Sequence, residues 1–205
     1  MIMTSFELFD NLFQTVVMAL CAACAGALAY RRRRPEYVLL SLAYLCWMCG
    51  TLYWSLYLAV AGTTPVVFYV SELSWTAAYL FLLSVSILRQ TAEGARHLVW
   101  VFVPAAALVL ALTVLSALRG SFLFTLLFCG VVASMGAVCL CRLISKTAGK
   151  TPIVLRAVVV LQAAVYFTSA FTEDYSRFNA YFAVDILLTL TLAAILPALY
   201  REVEA

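Results

Sequence analysis

Long apolar runs broken by short polar or proline-containing stretches occupy nearly the whole of this sequence: 8–30, 37–60, 66–88, 98–118, 121–143, 153–172 and 179–200. A helix rises about 1.5 Å per residue, so about 20 apolar residues cross a bilayer's hydrocarbon layer. Every run meets that length. A membrane barrel would instead show alternating segments of about ten residues, so all seven runs read as helices. The sixth is the most polar, with Arg156 near its start and Gln162 within it. The expected fold is all-α: one integral membrane bundle of seven transmembrane helices over residues 1–205.

The polar breaks set the expected orientation. Arg31, Arg32, Arg33 and Arg34 follow the first run, Arg89 and Arg96 lie between the third and fourth, Arg142, Lys146 and Lys150 lie between the fifth and sixth, and Arg201 follows the seventh. The alternate set of breaks holds only Arg119 and Arg177. Lys and Arg concentrate in cytoplasmic loops, so the N-terminus is expected outside and the C-terminus in the cytoplasm. Pro35, Pro65 and Pro152 stand at or just before helix starts, where the missing N–H costs nothing. Pro104 should kink the fourth helix, and Pro197 falls in the last turns of the seventh. The first run does not read as a signal peptide, which would carry its basic residues ahead of the apolar stretch. Here Glu7 and Asp10 precede the run and the arginines follow it, so this helix is expected to stay in the mature protein.

Composition then excludes whole classes. Hydrophobic residues make up 66% of the chain and charged residues 11%, against roughly 45–50% and 25% in soluble domains. No room is left for a soluble catalytic domain or a nucleic-acid module. The net charge of +3 reports topology and not nucleic-acid binding. His97 is the single histidine and falls in a cytoplasmic break, so no histidine-rich metal or haem site is expected, and no cofactor. Lys146 and Lys150 are both in a break, so no membrane lysine is available for a retinal Schiff base.

The most informative side chains are two carboxylates well inside spans, Glu72 in the third and Asp185 in the seventh. Ionisable groups in spans are costly and usually face the bundle interior or a water-filled cavity. Both lie roughly 10 Å below the outer surface by helix rise, and so could share a site for a cation or a basic ligand. Aromatics cluster at the same level: Trp47, Tyr53, Trp54 and Tyr57 in the second span, Phe68, Tyr69, Trp75 and Tyr79 in the third. Glu72, Trp75 and Tyr79 share one helix face, and an acid flanked by rings suits a cationic or flat polar ligand. The candidate ligand-binding residues are Glu72, Asp185, Trp75, Tyr79, Trp54 and Tyr53. The competing reading is an interfacial belt, which accounts well for Tyr57, Tyr69, Tyr175 and Tyr181 and less well for the deeper Trp47 and Trp75.

Seven cysteines, with CxxC at Cys21–Cys24 and Cys46–Cys49 and CxC at Cys139–Cys141, raise thiol redox chemistry. A CxxC inside a continuous helix lacks the helix N-terminus that lowers a thiol pKa, and cysteine packs as a small apolar residue, so they read as structural. The arginine run fixes topology, with anionic lipid or an acidic partner as its alternative use.

Runs one to three and five to seven share a layout. Each set has a basic break ending in proline (RRRRP, KTAGKTP), and each third run carries one carboxylate near its start. Two such units, 8–88 and 121–200, joined by the fourth helix would form a 3+1+3 pseudo-repeat of a kind known in transporters.

Residues 50–83, GTLYWSLYLAVAGTTPVVFYVSELSWTAAYLFLL, resemble the second and third helices of multi-span membrane sensor regions in bacterial signalling proteins. Those regions stand ahead of diguanylate cyclase, phosphodiesterase or histidine kinase domains. Gly50, Tyr53, Trp54 and Tyr57 match the first half of the pattern, and Pro65, Ser71, Glu72 and Tyr79 the second. Thr51 stands where the pattern has an acid, Glu72 where it has aspartate, and no output domain is expected after Tyr200. The resemblance covers about a sixth of the chain. It implies that Glu72 and its aromatics form a sensing site, and that the signal leaves through a separate partner chain.

The function expected is a stand-alone multi-pass receptor, sensor or regulatory subunit in a cell membrane, on the resemblance a bacterial inner membrane. Its pocket lies between the second, third and seventh helices, and its basic inner loops meet a signalling partner. The alternative is a transporter of a vitamin-like or cationic solute. No Ser/His pair or metal cluster supports an enzyme. The expected partners are the lipid bilayer, an unidentified small ligand and that partner protein, with no nucleic acid.

Overall fold

The computed structural model describes residues 6–63, 69–89, 122–144 and 149–204, with residues 103 and 107. They form α1 (Phe6–Arg32), α2 (Pro35–Ala61), α3 (Tyr69–Leu88), α4 (Phe122–Ile144), α5 (Thr151–Ala170) and α6 (Ala180–Val203). Among the described residues, these six helices are long and apolar enough to cross a membrane. The regular structure of the described residues is therefore all helical, and the chain is a multi-pass membrane protein. Six of the expected spans match these helices to within three residues at either end. The fourth expected span, 98–118, lies outside the described residues except for 103 and 107, and Pro65 and Pro104 lie outside them too.

Local chemistry sets the helix ends. Arg33 takes a left-handed turn (φ 53°) and returns its N–H to Ala29 O at 2.9 Å, closing α1. Pro35 then opens α2, where its fixed φ suits a first turn. Gly62 closes α2 at φ 67°, a conformation that a Cβ penalises. Asn179 caps α6, its side chain accepting the Phe182 N–H at 3.3 Å.

Each helix packs on the next in this order and α6 returns to α1, so the six close a ring. Two successive described helices run in the same direction. Tyr79 of α3 meets Phe128 of α4 with ring centroids 5.2 Å apart, Ser86 meets Cys139 at 3.7 Å, and Arg89 and Arg142 converge on Glu202. The chain thus leaves α3 at one end of the bundle and enters α4 at the other.

The burial pattern suits lipid. Large apolar side chains such as Leu20, Phe9 and Val60 face outward, whereas Asp10, Gln14, Thr51, Ser55, Ser71, Thr76 and Asp185 face in. Polar groups that lipid cannot satisfy must find partners inside. Tyr44, Tyr79, Leu40, Leu82, Leu188 and Leu192 fill the middle of the ring. Tyr44 donates to Leu192 O at 2.8 Å, across the ring from α2 to α6. Gly136 lets α4 approach α5, its missing Cβ lying 3.2 Å from Val159. Gly130 has open space at that position and plays no such part.

Candidate functional site

The first half of α1 carries a polar stripe at helical spacing: Glu7, Asp10, Asn11 and Gln14, continued by buried Met18, Ala22 and Ala25. The stripe faces the ring interior. Gln14 is the hub. Its Nε2 donates to Asp185 Oδ2 at 2.6 Å and to Asp10 Oδ2 at 3.4 Å, while its Oε1 accepts the Trp47 indole N–H at 3.1 Å. The Asp10 carboxyl and the Tyr181 hydroxyl are also neighbours of the Asp185 carboxyl. One turn higher on α1, Glu7 accepts the Trp54 indole N–H at 2.9 Å.

This network walls a partly open cavity of about 350 Å³ in the half of the bundle away from the arginine run. Glu7, Gln14, Trp47, Trp54, Tyr181 and Asp185 contribute to its lining. A second lobe of about 200 Å³ adds Glu72 and Tyr166, and shares Trp75, Phe128, Gln162 and Tyr181 with the first. Three carboxyl groups line the two lobes, and no lysine, arginine or histidine does so among the described residues. Two polar atoms in the lining are buried without a hydrogen-bond partner among the described residues, Glu72 Oε2 and Trp75 Nε1.

The wall between α6 and α1 is built by the loop 171–179. Its Ser176 and Tyr175 carbonyls accept the N–H groups of Phe6 and Glu7 at the start of α1, which have no partner inside their own helix. Phe6 packs edge-on against Phe178 and Phe182. Within the loop, the Ser176 side chain and backbone amide hold the Asp174 carboxyl below its ordinary pKa.

Comparison with family models, with curated proteins and with solved structures returns no match.

The six sequence candidates separate by position. Glu72, Trp75, Trp54 and Asp185 line the cavity lobes. Tyr79 lies fully buried beneath them and donates to Gln162 Oε1 at 2.7 Å. Tyr53 is half-buried and packs on Tyr57, outside the lining of either lobe. The lining comes from all six helices, wider than the α2, α3 and α6 expected. Tyr175 and Tyr181, which the interfacial-belt reading accounts for well, also contribute to the cavity lining.

Sequence reasoning passed over Asp10 and Gln14, reading Asp10 only as an acid ahead of the first apolar run. Asp10 is 1% exposed and Gln14 3%. The i, i+3, i+4, i+7 spacing of the polar residues was the signal that could have found them. Every cysteine among the described residues is free.

At the opposite end of the ring, Glu202 of α6 gathers three helices. It accepts from Arg142 of α4 at 2.5 Å, from Arg89 just past the end of α3 at 3.2 Å and from the Thr151 amide of α5 at 3.3 Å. Arg89 also reaches Glu36 of α2 at 3.8 Å, and Glu204 pairs with Arg32 at 3.4 Å. Gly149 leaves room for this knot, since a Cβ there would collide with the Glu202 carboxylate.

Proposed function

We propose that this chain is a seven-span membrane receptor or regulatory subunit whose cavity opens to the outside and binds a small organic cation. The observation that carries the reading is the cavity itself, lined by three carboxyl groups and the indoles of Trp47, Trp54 and Trp75 with no basic side chain among the described residues. Carboxylates supply charge and the ring faces attract a cation. A volume of about 350 Å³ is at the small end of ligand pockets. The basic loops face the cytoplasm under the positive-inside rule, and the parallel course of α3 and α4 supports a further crossing between them. Helix α6 carries Asp185 in the cavity and Glu202 in the ion-pair knot, roughly 25 Å apart along one continuous helix. A ligand that shifts α6 therefore loads the knot, next to the surfaces a partner chain would read.

A second reading has one observation in its favour. The arginine end is tied shut by ion pairs while the cavity is partly open at the other, as in one half of an alternating-access cycle. A transporter of a cationic solute would look like this.

The purified protein should bind tetramethylammonium saturably, followed by indole fluorescence, and proteoliposomes should not accumulate it. Accumulation would replace the receptor with the transporter, and absence of binding would remove the cation pocket. An impermeant maleimide applied to intact cells should label a cysteine placed at Arg177, which fixes the orientation.

A further inference from the structure

Asp10 and Asp185 come from opposite ends of the sequence and meet beneath the larger lobe. Both are buried, at 1% and 7% exposure, and their Oδ2 atoms share one donor, Gln14 Nε2. The orientation of that amide is fixed, because an indole N–H can only donate and Trp47 donates to Gln14 Oε1. The amide's two hydrogens therefore face the two carboxyls. That leaves Asp10 Oδ1, fully enclosed and without a donor, in a side chain that meets the Asp185 carboxyl. Two ionised carboxylates only repel. With one proton between them the same contact becomes an O–H···O⁻ hydrogen bond, among the strongest available. A metal ion fits poorly, since it would face the Gln14 N–H group, and among the described residues no group of three or more His, Cys, Asp or Glu side chains could hold one.

The geometry points to a proton-binding site: Asp10 and Asp185 together hold one proton at neutral pH. The titratable groups that face the pair are Glu7 on α1, Tyr181 on α6 and Tyr79 on α3. Helix α2 presents Trp47, Thr51 and Trp54, none of which titrates near neutrality. No basic group among the cavity-lining residues competes for the carboxylates. Resting on the cation-pocket reading, the site has a further consequence. A cation entering beside Asp185 neutralises the same charge as the proton does, so binding releases that proton to water through the cavity. Occupancy of the pocket is then an exchange of one positive charge for another.

Infrared spectra of the full chain in liposomes at neutral pH test this, because exposed carboxyls are then ionised and a protonated carboxyl gives a separate C=O band. The wild type should show such a band, shifted by carbon-13 labelling of aspartate carboxyls and lost in both Asp10→Asn and Asp185→Asn. Saturation with tetramethylammonium should reduce it at least twofold. No band, or a band that survives both substitutions, overturns the proton site. If a substituted chain does not fold, the aspartate label in the wild type decides. A band that stays constant while indole fluorescence reports bound tetramethylammonium overturns the exchange and leaves the pocket standing. If tetramethylammonium does not bind, the pocket reading falls and the band alone decides the proton site.

Discussion

Trp75 of α3 packs onto the bare backbone of Gly50 in α2: a Cβ on Gly50 would lie 2.8 Å from Trp75 Nε1 and 3.2 Å from Ser74 Cβ. Ser71 adds a hydrogen bond to Gly50 O at 3.2 Å. The indole that lines both cavity lobes is therefore seated by a glycine. Gly50→Ala gains helix propensity but overpacks this contact, which typically costs about 1–3 kcal/mol. The variant should unfold at lower denaturant concentration and show an altered Trp75 emission. Unchanged stability would mean that α3 slides without cost.

Charge removal in the cavity should weaken cation binding without unfolding the bundle. Glu72 is half-buried and Asp185 is held by Gln14, so Glu72→Gln and Asp185→Asn keep shape and hydrogen-bonding capacity. Each should lower tetramethylammonium affinity about tenfold, or about 1.4 kcal/mol. Titration calorimetry on the two variants and the double variant checks this. Affinity equal to wild type in both places the cation elsewhere.

Affinity should also depend on pH in one direction. Protons and the cation compete for the same carboxyl pair, so binding tightens as pH rises and weakens as it falls. Asp10→Asn should flatten that dependence. A steeper dependence in the variant would show that a different group competes.

Glu202 should matter for stability more than its place at a helix end suggests. Its partner Arg142 has a side chain only 3% exposed, and breaking a buried pair from one side costs about 3–5 kcal/mol. Glu202→Gln should therefore lower the unfolding free energy by about 3 kcal/mol, read from chemical denaturation in detergent. An Arg142→Met, Glu202→Gln double variant should recover part of the loss. Purely additive losses would mean that the two side chains act independently.

The spans were legible because hydrocarbon thickness and backbone hydrogen bonding leave few solutions. Pro35 and Pro152 marked helix starts for the same local reason in sequence and structure. Glu72, Asp185, Trp54 and Trp75 were legible because a charge or an indole inside an apolar run has few explanations. Tyr53 was not separable from them, because the face a helical side chain presents depends on which neighbours pack there. Asp10 and Gln14 were missed because they stand near the edge of a run, where water could have satisfied them. Their helical spacing marks a shared face of α1, but what covers that face is the closure of α6 and the 171–179 loop on it, a relation between distant parts of the chain that spacing alone does not name.

That closure also has a consequence for biosynthesis. Asp10 and Gln14 enter the membrane with the first helix, but Asp185 arrives on the last. At synthesis rates of about 5–20 residues per second, the two polar side chains wait roughly 10–35 s for their partner. During that interval the Gln14 amide lacks its Asp185 acceptor, and α1 holds an aspartate in the membrane without the group it meets in the closed ring. Only a chain translated through α6 can close the ring and hide it.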